Sequence, residues 1–417
     1  MKETSHNHAL FCSTLVIAVL AGVGAVILSL LLTFTEHVFL AFEETAAHPY
    51  AGLITGTHRL LSLTIGGIIA AVVWWWMRRT LKPTVGLATA VDGQRMPVVT
   101  TIVHVVTQIF YVGVGGSVGR ELAPRELAGM LAQQWNAWLT KHAHWQLSVD
   151  DQRLLIAAAA GAGFAGVYIA PLTGTMFAVE VLYKQVSKRS VIVSLSMSAI
   201  ATLIGSLLKG FKPYYLVGPQ NFGVRAIPLV IVVGLLCGAA GAGFRKAFKW
   251  ANQHQTRGNG LLWQLPLVAF GTGLIAMTYP QIMGNGRALA QTAIGAKTID
   301  LLPLLVLVAI FKAVMTVLTL RAGASGGTLT PSIAIGASMG LMVAMLVTPL
   351  SAGVPFWQAG VIGAGAFLAV SQQAPFMAMF MLFEVSHLNY SALLPLGIGI
   401  CCAMVVGNLV LEKRALG

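Results

Sequence analysis

Charge is scarce in this chain. Only 9% of its 417 residues are charged, and the acids number 13. A soluble domain carries roughly 25% charged residues, so a water-solvated globular surface is excluded. Cysteine is scarce too. Cys12, Cys237, Cys401 and Cys402 all fall in apolar runs and have no metal-ligand spacing. They read as small core residues and imply neither a disulfide framework nor a metal centre. Catalytic groupings are missing as well: there is no HExxH, no Ser/His/Asp set at turns and no Cys/His cluster. An enzyme is therefore not expected, and no cofactor or metal is implied.

What is abundant is hydrocarbon. The chain is 57% hydrophobic, with mean hydropathy +0.80. Apolar runs of about 20 residues recur, as membrane-spanning helices require. They include Ala9–Phe34, Leu60–Met77, Val191–Leu208 and Leu301–Leu320. The first lacks a small-residue cleavage site and reads as a true span. The expected fold class is an all-α polytopic membrane protein.

The net charge of +13 does not point to nucleic acid. Basic residues cluster in short loops: "RRTLK" (78–82), "KQVSKR" (184–189), "RKAFK" (245–249) and "EKR" (412–414). That is the pattern of cytoplasmic loops facing anionic lipid. The loop after the first run holds Glu36, Glu43 and Glu44 and is expected outside, with both termini cytoplasmic. Trp74–Trp76 reads as an interfacial aromatic belt beside Arg78 and Arg79.

The chain repeats one plan. "GSVGRELAP" (116–124) and "GASGGTLTP" (323–331) share G-x-x-G-x-x-L-x-P. Each is followed by A-P, eight residues and E-V: "APLTGTMFAVEV" (170–181) and "APFMAMFMLFEV" (374–385). Pro124 lies 46 residues before Ala170, and Pro331 lies 43 before Ala374. Two motifs in the same order at similar spacing imply two transmembrane repeats, 1–210 and 225–411. They are joined by a linker at 211–224 and followed by a short tail at 412–417. Many segments between Gly and Pro are too short to cross a bilayer. Such broken helices are tolerated at membrane depth only inside protein or along a cavity, and paired breaks in two halves mark a binding site.

A helix beginning at such a break presents N–H groups and the positive end of its dipole, which suits an anion. Glycine lets the backbone turn tightly, and an early proline suits the helix start. Nine acids are expected at termini or in loops, Glu36 and Glu44 among them. Only Glu121, Glu126, Glu180 and Glu384 lie in or beside apolar segments. Glu121 sits at the turn itself, where its carboxylate competes with an anion for the same N–H groups. Protonation removes that attraction, so Glu121 reads as a gate or proton carrier. Arg120 is expected to brace the turn, and Glu126 to be solvated or ion-paired. Glu180 and Glu384 are expected to cap or pair, and His104 to be a satisfied buried histidine.

These residues resemble the ClC chloride channel and proton-exchanger family. "GSVGRELAP" is similar to its G-x-x-G-R-E-G-P element and "GASGGTLTP" to its G-G-x-F-x-P element. "AGVYIAPLTGTMFAVEVLY" and "AVSQQAPFMAMFMLFEV" resemble the A-P-L-x-G helices that follow, and "GNGRALAQTAI" (284–294) resembles a further family stretch. The shorter bacterial voltage-gated-type, B-type branch is the most similar. The resemblance implies two inverted-topology repeats of tilted, partly broken helices, with an anion pore in each subunit of a homodimer in the bacterial inner membrane. Val191–Leu208 and Leu393–Val410 would form the dimer interface.

The resemblance also implies a voltage-gated-type chloride channel gated by Glu121, with chloride/proton or other small-anion/proton antiport as the alternative. Anion-binding backbone falls on Gly119, Arg120, Glu121 and Leu122, and on Gly327, Thr328 and Leu329. This chain departs from the family at several places. Leu122 replaces a glycine, and Pro124 comes one residue late. Leu329 stands for phenylalanine. The family's G-S-G-I-P stretch has no clear match, which leaves Pro83 or Thr84 near the ion. Against the family's pattern, no match to the pore tyrosine is found after "GNLVLEK", and no regulatory domain is expected. The family's internal relay glutamate, directly after the position of Glu180, is Val181 here. That favours a channel over a coupled exchanger.

Overall fold

The structure is a computed structural model that describes residues 2–142, 147–347 and 353–412. Most of the expected tail, 413–417, lies outside the described residues. Eight helical stretches among them are long and apolar enough to cross a membrane: Asn7–Leu40, Gly56–Thr80, Lys188–Lys209, Val224–Gln253, Gly258–Thr278, Ile299–Arg321, Leu329–Leu346 and Tyr390–Glu412. Among the described residues the regular structure is helical, apart from one isolated antiparallel bridge. The all-α polytopic fold class is the observed one.

Helix α1 (Lys2–Leu40) shows why the chain belongs in lipid. Phe11, Leu15, Val19, Val23, Ile27, Leu30, Phe34 and Val38 are all exposed. They recur every three or four residues and so form one continuous apolar stripe. Water does not tolerate an apolar face of that length, whereas hydrocarbon does. The expected span, Ala9–Phe34, is shorter than the helix. Glu36 was expected in a loop, but α1 carries it inside the helix and it is only 7% exposed.

The chain forms two compact units that interleave along the sequence. The first comprises Met1–Leu31, Trp76–Ile109 and Glu121–Lys212. It contains α3 (Leu87–Val91), most of α4 (Val98–Gly113), α5 (Leu122–His142), α6 (Val149–Tyr168), α7 (Pro171–Met176) and α8 (Lys188–Lys209). A π-helical segment, Phe177–Tyr183, continues α7. From Leu154 to Tyr168, α6 is buried on every side. Its small residues let neighbours approach to backbone contact. A Cβ on Gly163 would lie 2.3 Å from the Pro124 carbonyl of α5, so no side chain fits there.

The second unit comprises Leu32–Trp75, Phe110–Arg120 and Pro213–Gly417. It contains most of α2 (Gly56–Thr80), and α9 (Ile227–Gln253), α10 (Leu261–Thr278), α11 (Arg287–Gly295), α12 (Leu302–Arg321) and α13 (Leu329–Leu346). After these come α14 (Phe356–Gln372), α15 (Pro375–Val385) and α16 (Leu393–Glu412). Helix α14 is its fully buried centre, from Trp357 to Ser371. Trp74 was expected in an interfacial belt. It is instead fully buried against Tyr111, with ring centroids 5.9 Å apart, because α2 turns that face inward. Trp76 is exposed. Cys237 is buried as expected, but Cys401 is exposed on α16.

The two central helices end alike. Helix α6 stops at Ile169 (φ 56, ψ 47), then Ala170 (φ −135, ψ 76) leads into Pro171. Helix α14 stops at Gln373 (φ 55, ψ 46), then Ala374 (φ −145, ψ 76) leads into Pro375. The shared A-P motifs are therefore shared backbone geometry. Non-glycine residues seldom adopt a left-handed conformation, and here two do so at matching places.

Candidate functional site

Helix α4 closes with a Schellman turn. Gly115 has φ +107, its N–H bonds to Val112 O at 3.0 Å, and Gly116 N–H reaches back to Tyr111 O at 2.8 Å. Helix α12 closes the same way. Gly323 has φ +109, its N–H bonds to Leu320 O at 3.1 Å, and Ala324 N–H bonds to Thr319 O at 3.2 Å. Only glycine takes that φ without strain. The structural counterpart of Gly115 is thus Gly323.

This shifts the motif register by one. The sequence pattern pairs Gly116 with Gly323 and Gly119 with Gly326. Counted from the left-handed glycines, Gly119 corresponds to Gly327. These two residues also meet: Gly119 N–H donates to Gly327 O at 2.7 Å, and Gly327 N–H donates to Gly119 O at 2.8 Å. Both N–H groups are spent on this bridge. What the two glycines contribute is the placement of the amides that follow them.

Those following segments differ in length. Thr328 alone separates Gly327 from the first residue of α13, Leu329. Arg120 and Glu121 separate Gly119 from the first residue of α5, Leu122. Both helices then have proline at their third residue, Pro124 and Pro331. The extra residue before Pro124 therefore lies in the connector that carries Glu121, not in the helix.

The turn before Gly119 is held from three directions. Ser62 Oγ donates to Val114 O at 3.0 Å, and Gly284 N–H donates to Gly115 O at 2.8 Å. Ser117 Oγ lies 3.4 Å from Thr316 Oγ1 on α12. One turn earlier on α12, Lys312 is fully buried. Its Nζ donates to Ile282 O at 3.0 Å and to Gly284 O at 2.6 Å. On the second turn, Gln255 Nε2 donates to Ala324 O at 2.8 Å. Buried carbonyls need such partners.

Glu121 is fully buried. Its carbonyl accepts from Arg125 Nε at 2.6 Å. The Arg125 guanidinium lies over Phe177, 4.7 Å from the ring centroid, and over Phe164 at 5.7 Å. Aromatic faces attract such a cation, so Arg125 anchors the backbone at Glu121 to α6 and the π-helical segment. Glu126, expected to be solvated or ion-paired, is buried. Its Oε2 accepts from Gln108 Nε2 at 2.7 Å and lies 3.8 Å from His104 Nε2. Leu122 is partly buried and Leu329 buried, while Thr328 Oγ1 accepts from Gln372 Nε2 at 3.2 Å.

Arg120 meets a carboxylate that the sequence reading left in a loop. Its Nη1 lies 3.7 Å from Glu44 Oε1, and its guanidinium is 5.3 Å from the Tyr214 ring centroid. Arg287 Nη1 lies 3.2 Å from the same Glu44 oxygen. The Arg287 guanidinium sits 3.9 Å from the Tyr214 ring, and its Nη2 donates to Tyr214 O at 2.9 Å. Tyr214 Oη donates to Glu44 Oε1 at 3.2 Å. Glu44 N–H donates to Glu36 Oε2 at 3.2 Å. Two carboxylates are buried here because two arginines and a hydroxyl compensate them. Glu44 lies in the coil after α1 as expected, whereas Glu36 lies on α1.

Other predicted positions lie elsewhere. Pro83 and Thr84 are exposed in the coil before the short helix α3. Glu180 and Val181 are half-buried on the π-helical segment.

The family model for voltage gated chloride channels matches residues 69–408. The chain belongs to the voltage-gated chloride channel (CLC) family. Members of this family are channels and transporters rather than enzymes. Among curated relatives, the chain is 27% identical over 399 residues to the voltage-gated ClC-type chloride channel ClcB of Citrobacter koseri, covering 90% of this chain and 89% of that one. It is 26% identical over 426 residues to ClcB of Escherichia coli, covering 97% and 95%. Among solved structures, it shares the fold of a slow cyanobacterial Cl−/H+ antiporter, with TM-score 0.80, 20% identity and 98% of both chains covered. A CLC-type fluoride/proton antiporter has TM-score 0.71 at 23% identity, covering 97% and 96%. The protein is a multi-pass, ClcB-like CLC membrane protein.

Proposed function

We propose that this protein conducts chloride, or a similar small anion, across the bacterial inner membrane, and that Glu121 is its protonatable gate. The Gly119–Gly327 bridge carries this reading. It fixes the starting points of the two segments whose next amides open α5 and α13. Backbone amides and the positive ends of helix dipoles attract an anion without a side-chain charge. The backbone of Gly119, Arg120, Glu121 and Leu122 serves in one repeat, and that of Gly327, Thr328 and Leu329 in the other. Charged Glu121 imitates the anion, and falling pH neutralises it and opens the path. Pro83 and Thr84 remain candidates for a further contact with the ion. The proposal includes two inverted repeats, 1–210 and 225–411, joined at 211–224, a homodimer, and cytoplasmic termini.

Proton-coupled exchange is the second reading. It is supported by the two antiporters with this fold and by a buried carboxylate at the gate. Val181, beside Glu180, offers no carboxylate at the relay position. Purified protein in chloride-loaded liposomes, followed with chloride and pH probes, separates the readings. Uphill proton movement driven by the chloride gradient identifies an exchanger, and chloride efflux without it identifies a channel. In either case Glu121→Gln should conduct chloride without pH dependence. A Glu121→Gln protein with the wild-type pH profile would overturn the gate.

A further inference from the structure

A buried polar stripe runs along α4. Thr100, His104 and Gln108 follow one another at four-residue spacing and are 2%, 6% and 0% exposed. That spacing puts them on one face of the helix. Thr100 Oγ1 donates to Lys82 O at 3.0 Å, so one end of the stripe lies at the basic "RRTLK" loop. At the other end, Gln108 Nε2 donates to Glu126 Oε2 at 2.7 Å, and His104 Nε2 lies 3.8 Å from the same oxygen. Gln108 Oε1 is buried and has no hydrogen-bond partner among the described residues. An apolar helix at membrane depth does not carry three buried polar side chains in line without reason, and ionisable residues there are functional candidates.

The second repeat gives the comparison. His104 lies 11 residues before the left-handed Gly115, and Lys312 lies 11 before the left-handed Gly323. Both are buried. Lysine at that place is held by the carbonyls of Ile282 and Gly284. Histidine at the equivalent place faces Glu126. One repeat thus carries a lysine held by carbonyls and the other a histidine beside a carboxylate.

We infer that Glu126, with His104, carries protons between the basic-loop face and Glu121. The inference rests on the gate reading of Glu121. A proton on His104 Nε2 passes to the Glu126 carboxylate, leaving a neutral imidazole and a neutral acid. Glu126 then releases it to Glu121 and returns to carboxylate. Glu121 stands in the connector directly before α5 and Glu126 is the fifth residue of that helix, so the transfer runs across the first turn of α5. Arg125 on the same helix and Arg78 at the end of α2 lie within electrostatic range of Glu126 and His104 respectively. Both stay cationic and cannot relay. Gln108 positions Glu126 and does not titrate.

Planar bilayers test this, because the pH of each compartment is set separately. Chloride current in the full-length protein should depend on pH from both sides. Glu126→Gln should lose at least tenfold of the dependence on one compartment and keep the other, whereas Glu121→Gln should lose both. His104→Lys, which fixes the charge as in the second repeat, should behave like Glu126→Gln, and Glu126→Asp should restore the dependence in part. If the protein is an exchanger, the proton-to-chloride ratio of Glu126→Gln should also fall at least tenfold. If the wild type moves no protons uphill, only the exchange reading fails, and the one-sided pH dependence still decides the role of Glu126. A Glu126→Gln or His104→Lys protein with the wild-type dependence on both sides overturns the inference, as does a wild type indifferent to pH on either side.

Discussion

Gly119 and Gly327 hold each other by two backbone hydrogen bonds, each donating to the other's carbonyl at 2.7 and 2.8 Å. The pair sits in fully packed surroundings. A Cβ on neighbouring Gly326 would lie 2.6 Å from Val118 Cγ2 and 3.3 Å from the Gly119 carbonyl oxygen, and Val118 is fully buried.

Gly326→Ala should therefore force the bridge apart. Overpacking of this kind costs about 1–3 kcal/mol. Chloride efflux from proteoliposomes should fall at least tenfold, because the displaced atoms set the amides that follow. Val118→Gly removes both Val118 Cγ2 and Val118 Cβ, which the new methyl would meet at 2.6 and 2.7 Å, so the double variant should recover most of the flux. If Gly326→Ala conducts normally, the bridge does not set the anion path.

The cluster around Glu44 predicts a stability effect of a different kind. Glu44 and Arg287 side chains are 10% and 8% exposed. Removing one partner of a buried pair costs about 3–5 kcal/mol when the other is left alone, and less here because Arg120 stays 3.7 Å from Glu44. Arg287→Met should lower the unfolding midpoint in mild detergent markedly. Glu44→Gln with Arg287→Met should lose much less than the single change, since no charge is then stranded. Additive losses in the double variant would show that the two side chains do not act as a pair.

Much of this was legible in the sequence, for local reasons. Glycine and proline impose their backbone on their own neighbourhood, so the turns at 115–119 and 323–327 and the A-P starts at 170 and 374 were readable as motifs. The one-residue register shift was not. Spaced glycines align equally well two ways, and only the positive φ of Gly115 and Gly323 selects one. Glu36 was expected in a loop and lies on α1, and the cluster around Glu44 left no local signal because its partners are remote: Glu44 and Arg287 are 243 positions apart. Lys312 did leave a signal. It is a lone cation inside the apolar run Leu301–Leu320, and such residues are rare at membrane depth.

That lysine supports the last prediction. Lys312 Nζ donates to the carbonyls of Ile282 and Gly284, and Gly284 N–H in turn donates to Gly115 O. A charged donor thus fixes the loop that fixes the left-handed glycine. Lys312→Met is close in size but cannot donate. It abandons two buried carbonyls, at about 1–3 kcal/mol for each unsatisfied group. It also removes a positive charge one helical turn from Thr316, which faces Ser117 beside the bridge. Lys312→Met should be less stable and should bind chloride more weakly, by about tenfold if the lost potential at the anion is near 1.4 kcal/mol. Isothermal titration with chloride in detergent, beside a melting curve, reads both effects. Lys312→Arg, which keeps charge and donors, should retain chloride affinity even if its larger head lowers stability. Equal chloride affinity in wild type and Lys312→Met would confine the lysine to bracing the loop.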